Sequence, residues 1–140
     1  MTTFIISEPY DSLAYCVFGI TRRISGFQFR ITNVQNPPVC RLSIQRLAVD
    51  IPDGTMLARK EFTPTEGLRI VTFEERFTPT VPEWLAFVIE WNDADFSRKD
   101  SSVTLDMGNM RVPFHDSPFV CSYDGFVWTK HSRLPEVIVY

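Results

Sequence analysis

The chain is 140 residues long, 44% hydrophobic and 22% charged, proportions that fit one globular domain over residues 1–140 and exclude a disordered, fibrous or repetitive polypeptide. Its 17 acidic and 14 basic residues leave a net charge of −3 with the basic residues scattered, which removes the electrostatic footprint that a phosphate backbone needs, so no nucleic acid is expected as a partner. Three widely spaced cysteines cannot complete a disulfide framework or a C-x-x-C zinc pattern, and there is neither a secretory leader nor a run of about 18 apolar residues. These features predict a soluble, intracellular, cytoplasmic protein with reduced thiols and no integral membrane segment. Twelve phenylalanines favour sheet over helix, because aromatic side chains suit half-buried pleated surfaces.

Phe4-Ile5-Ile6 predicts a short opening strand, stopped by the turn residues Glu8-Pro9-Tyr10-Asp11. A second strand follows from Leu13 to Ile20. In the next one Phe27, Phe29 and Ile31 alternate with Gln28, Arg30 and Thr32, the pattern of a sheet with one wet face. Asn36-Pro37-Pro38 forces a loop, since proline can neither extend a helix nor donate to a ladder. From Val39 to Ile51 the apolar phase slips: Cys40, Leu42 and Ile44 alternate in one register, Leu47, Val49 and Ile51 in the other. A β-bulge at Gln45-Arg46 would reconcile the two sets. Asp53-Gly54 is a hairpin signal, with Met56 to Phe62 as the returning arm. Leu68 to Phe77 predicts another strand, and the tetrapeptide Phe-Thr-Pro-Thr at 62–65 and 77–80 marks two similar strand exits, with flanks too different for a repeat architecture.

The longest apolar run, Trp84 to Trp91, is bounded by Pro82 and by Asn92-Asp93-Ala94-Asp95. Eight residues make an ordinary strand and a short helix, and apolar residues on both faces predict a central strand covered on both sides. Glu90 and Trp91 then mark the boundary between the core and any site. Ser102 to Asp106, Arg111 to Phe114, Phe119 to Ser122, Phe126 to Thr129 and Glu136 to Val139 are further extended pieces, with Asp124-Gly125 a second hairpin signal. The predicted fold is all-β: a single-domain antiparallel β-sandwich, immunoglobulin-like or jelly-roll-like, of about eight to ten short strands with little helix.

Asp93, Asp95 and Asp100 lie in one short loop after the central run and could converge on Ca²⁺, which takes several oxygen ligands. The Asp-Ala-Asp of this loop and its later Asp loosely resemble the third calcium loop of the calcium- and phospholipid-binding sandwich domains of protein kinase C and synaptotagmins. Ser7-Glu8-Pro9-Tyr10 resembles that family's Asp-Pro-Tyr motif. The resemblance covers under a tenth of the chain. The Asp95 to Asp100 gap is one residue shorter than in that family, and partner aspartates of its first calcium loop are absent, so it implies a Ca²⁺-assisted lipid- or ligand-binding module only as an alternative.

His115, His131, Cys121 and Asp116 have no short-spaced pair to anchor a zinc ion or a nucleophile and its base. Six glycines leave no phosphate-binding loop, and Glu74-Glu75 point to opposite faces of a predicted strand. No cofactor is expected and no enzymatic constellation emerges. The C-terminal Pro135-Glu136-Val137-Ile138-Val139-Tyr140 ends in β-branched strand residues, either completing the chain's own sheet or lent to a partner. The sequence therefore favours a non-enzymatic protein-protein interaction module or assembly subunit, whose partner is another protein, a second copy included. It would bind through a sheet edge or aromatic loop surface built from Tyr123, Phe126, Trp128, Val137, Val139 and Tyr140. A carbohydrate-binding sandwich using Trp91 or Trp128 is a further alternative.

Overall fold

The computed structural model describes residues 2–8, 11–36, 39–49, 51–92, 101–107, 116–131 and 138–140. Within these residues there is no helix, and the chain forms antiparallel sheets only. The strands are β1 (Thr2–Ile6), β2 (Ser12–Phe18), β3 (Ile24–Gln35), β4 (Cys40–Ala48), β5 (Ile51–Pro52), β6 (Ala58–Phe62), β7 (Gly67–Phe77), β8 (Trp84–Trp91), β9 (Ser102–Met107), β10 (Asp116–Tyr123), β11 (Trp128–His131) and β12 (Ile138–Val139). One sheet runs β1-β9-β3-β12 with β7 on the other side of β3; the other runs β11-β10-β2-β8-β4-β5, with β6 also paired to β4. The twelve described strands exceed the eight to ten expected because β5 and β12 are two-residue pieces. Nor are all of them short, since β3 has 12 residues and β7 has 11.

The main core lies between the two sheets. Phe27 and Phe29 of β3, Val71 and Phe73 of β7 and Leu105 of β9 meet Tyr15 and Val17 of β2, Leu42 and Ile44 of β4, Phe87 and Ile89 of β8 and Val120 of β10. At its centre the rings of Phe27 and Phe87 stack with centroids 4.8 Å apart, and Tyr15 lies 6.0 Å from Phe27. Each such buried side chain stabilises the fold by roughly 1.5–3 kcal/mol relative to exposure.

β8 is the central strand that its composition predicts, with β2 on one side and β4 on the other. Leu85, Phe87 and Ile89 face the main core. Ala86 and Val88 face the opposite way, into a second cluster with Ala14, Cys16 and Cys121, against which Leu47, Trp84 and Trp128 pack. Both faces of this sheet are therefore apolar along β8 until Glu90.

The segment 39–51 departs from expectation. β4 runs unbroken and pairs with β8 in constant register from Cys40 to Arg46, so no bulge falls at Gln45-Arg46. The second apolar set instead leaves the core: Leu47 packs on the outer cluster, while Val49 is 92% exposed at the turn with φ 64°. Ala48 pairs with Ile51 and Leu47 with Pro52, so the chain has already reversed before Asp53-Gly54. Residues 53–57 are an excursion between β5 and β6, held by buried Gln45, whose Oε1 accepts the Gly54 N–H at 2.9 Å. Asp53 Oδ1 accepts from both the N–H and the hydroxyl of Thr55. Bulges occur in β3 instead, between Ile24 and Gly26 and between Ile31 and Asn33. Both Phe-Thr-Pro-Thr copies close a strand, with Phe62 ending β6 and Phe77 ending β7, each packed against the main core.

Candidate binding face on the seven-stranded sheet

Antiparallel register brings six distant residues into one line on the outer face of this sheet. Trp128 lies opposite Tyr123, Tyr123 opposite Ser12, Ser12 opposite Glu90, Glu90 opposite Arg41, and Arg41 opposite Glu61. Side chains of directly opposed residues share a face, so the line presents two aromatic rings, a hydroxyl and then alternating charges. Two residues further along each strand the next line is Cys121, Ala14, Val88 and Ser43, all small and buried, which forms a flat floor beside it.

Glu90 organises the polar half. Its Oε1 accepts from Arg41 Nη2 at 2.5 Å and its Oε2 from the Ser12 hydroxyl at 3.1 Å. Both side chains of the ion pair are only about one-fifth exposed, at 20% and 22%. Arg41 Nε is buried, with no hydrogen-bond partner among the described residues. The aromatic half is a pair of neighbouring rings, Tyr123 and Trp128, with centroids 5.2 Å apart and planes tilted by 32°. A groove of about 470 Å³ runs past both halves, lined also by Asp11, Asn92, Pro52 of β5 and Gly54 and Met56 of the excursion.

The β10–β11 hairpin carries a second surface at its tip. Asp124 Oδ1 accepts the N–H groups of Phe126 at 2.9 Å and Val127 at 3.0 Å. The Val127 and Phe126 amides hold the Asp124 carboxyl below its ordinary pKa, so it is ionised and the turn is locked at neutral pH. Gly125 takes φ 99°, which glycine adopts without strain. The locked turn leaves Phe126 90% and Val127 57% exposed. Phe126 was expected to begin a strand; it stands in the turn because Trp128, not Phe126, starts the pairing with β10.

The remaining sequence candidates distribute as follows. Asp93, Asp95, Asp100 and Val137 lie outside the described residues. Val139 is buried in the main core. Tyr140 is partly exposed, its hydroxyl donating to Gln28 Oε1 at 2.7 Å. β12 pairs with β3 inside the chain's own sheet, and the Val139 carbonyl accepts from Arg22 Nη2 at 2.6 Å. Trp91 is buried, its Nε1–H donating to the Glu8 carbonyl at 2.8 Å, so it pins the N-terminal segment.

Cys121 faces the outer cluster with its Sγ 4.0 Å from that of Cys16, whereas the β10–β11 register turns His131 to the opposite face. His131 Nε2 instead lies 2.7 Å from the Ser122 hydroxyl. Burial lowers the His131 pKa, so the ring is neutral at pH 7. Among the described residues no group of three or more His, Cys, Asp and Glu side chains could hold a metal ion.

Sequence reasoning missed Ser12, Arg41 and Ser122. None carries a local signal, since each acquires its role from a partner 9 to 78 residues away. In the polar half only Glu90, a lone charge ending an apolar run, stands out in the sequence, whereas Tyr123 and Trp128 of the aromatic half are residues it singles out. Among the described residues no helix is long and apolar enough to cross a membrane. No family model, curated protein or solved structure matches this chain.

Proposed function

We propose that this chain is a non-enzymatic binding module, two sheets packed as a sandwich, that engages another protein through the tip of the β10–β11 hairpin. The observation that carries the reading is Phe126, 90% exposed beside Val127 on a turn already fixed by Asp124. Leaving a large ring in water on a mobile loop would give a partner little, because ordering it on binding would consume the gain. A pre-organised turn removes that cost, and aromatic anchors dominate interface energetics. Three buried cysteines outside any disulfide suit the reducing compartment that this reading assumes.

The test compares wild type with Phe126→Ser in two measurements: light scattering across a concentration series, which detects a second copy as partner, and affinity capture from the source cell. The substitution is expected to weaken the association by roughly 30-fold while the melting temperature stays within about 2 °C, because the residue buries nothing in the monomer. Association that survives the substitution unchanged, or a chain that is monomeric and captures nothing in either form, overturns the proposal.

A further inference from the structure

We infer that the groove along the Trp128–Tyr123–Ser12–Glu90–Arg41 line is a binding site for a neutral oligosaccharide. The site is separate from the hairpin tip, since neither Phe126 nor Val127 lines it. Its volume of about 470 Å³ is that of a small-ligand site, and five strands at roughly 4.8 Å spacing make it about 19 Å long, elongated rather than round.

Four observations select the ligand. Among the described residues the groove holds two carboxylates, Asp11 and Glu90, against the single guanidinium of Arg41, which Glu90 already neutralises. Phosphate, sulfate and carboxylate ligands therefore meet net repulsion. The Tyr123 and Trp128 rings pack against each other with centroids 5.2 Å apart and planes tilted by 32°, which leaves no gap for a cation between them as in an aromatic cage; the groove-facing side of the pair is an aromatic platform for an apolar ligand face. The partly exposed Arg41 guanidinium and the Ser12 hydroxyl supply donors, and the Glu90 carboxylate between them supplies acceptors. The ligand must accept and donate at neighbouring atoms. Finally, the groove lies on a sheet face and not along an edge, so an extended peptide would find no backbone ladder there. A sugar ring supplies all that is asked: adjacent hydroxyls that both donate and accept, an uncharged body, and a C–H face to lay on the aromatic platform.

The experiment is calorimetric titration of the full chain with malto-, cello-, manno-, xylo- and chito-hexaose, with sialyllactose and hexagalacturonate as acidic counterparts and an extended hexapeptide of mixed composition alongside. At least one neutral hexasaccharide is expected to bind saturably with a Kd of about 1 mM or tighter. Trp128→Ala removes the platform and is expected to weaken that binding at least about tenfold. Because Trp128 also packs on the outer cluster, Arg41→Lys is the second variant. It keeps the positive charge facing Glu90 but loses the planar guanidinium that positions the Glu90 carboxylate, and should cost at least about fivefold with the melting temperature held. Ile70→Thr, on the exposed face of the other sheet, leaves the titration unchanged. No saturable heat from any neutral sugar up to about 10 mM overturns the inference, as does equal or tighter binding of the acidic sugars or the peptide, or binding indifferent to both Trp128→Ala and Arg41→Lys. Because Phe126 takes no part in this site, failure here leaves the hairpin reading standing, and failure of the hairpin reading leaves this one.

Discussion

His131 shows how a single side chain couples this fold to pH. Its Nε2 lies 2.7 Å from Ser122 Oγ, and burial holds its pKa below the ordinary 6.5. The unfolded chain therefore takes up the proton first as pH falls. Stability is undiminished above about 6.5 and declines as pH drops from there through the lower folded value, because protonation favours the unfolded state across that window. Urea midpoints at pH 7.5 and 5.5 should show this decline in wild type and a smaller one in His131→Gln, with an equal decline in both chains refuting the assignment. The Asp124 carboxyl, whose pKa is also lowered, acts in a different window: its contribution holds above the ordinary 3.8 and is lost only as pH falls below it. At this scale the sequence was least legible. Strand alternation places Cys121 and His131 on opposite faces, a fact set by the β10–β11 register, which the Asp124-Gly125 turn signal announces but does not fix.

At the scale of elements, legibility follows how strongly composition forces one answer. Trp84 to Trp91 has apolar residues in both phases and turn residues at both ends, so it could only be a doubly covered strand, and β8 has those bounds. In 39–51 two apolar sets compete for one face. The conflict was resolved by ending the strand at Ala48 and exposing Val49, because buried Gln45, bonded to Ser43 and Gly54, already fixes the partner chain on that side. The hairpin signal at Asp53-Gly54 was thus genuine turn chemistry at the wrong place, absorbed into the excursion that walls the groove. Gly26 is a device of the same order. A Cβ there would stand 2.9 Å from the Val71 carbonyl oxygen of the paired β7, a backbone atom that cannot move alone. Gly26→Ala is expected to destabilise the protein by about 1–3 kcal/mol, measured by urea unfolding, through parting β3 from β7. An unchanged midpoint would show that the close approach is not a constraint.

For the molecule as a whole, the all-β, antiparallel character and the identity of most core residues were readable from period-2 alternation, whereas the strand order was not. β2 pairs with β8 and β10 and β3 with β7 and β9, pairings across the length of the chain that local pattern cannot encode. The same architecture encloses all three thiols. A maleimide reagent should leave native protein unlabelled over an hour at pH 7 and label three cysteines in denaturant; rapid labelling of the native chain would show that one face of the sheet is open. The line of residues on the outer sheet face has a consequence in time as well as space. Its five principal members, at positions 12, 41, 90, 123 and 128, come from five strands and, apart from the Tyr123–Trp128 hairpin pair, meet through long-range pairing. Folds dominated by such contacts mature slowly, in milliseconds to seconds, and a collapsed intermediate with even one strand out of register has no complete site. Recognition at this face is therefore the last property the nascent protein acquires, and its recovery after dilution from denaturant reports the completed fold, not the collapse that precedes it.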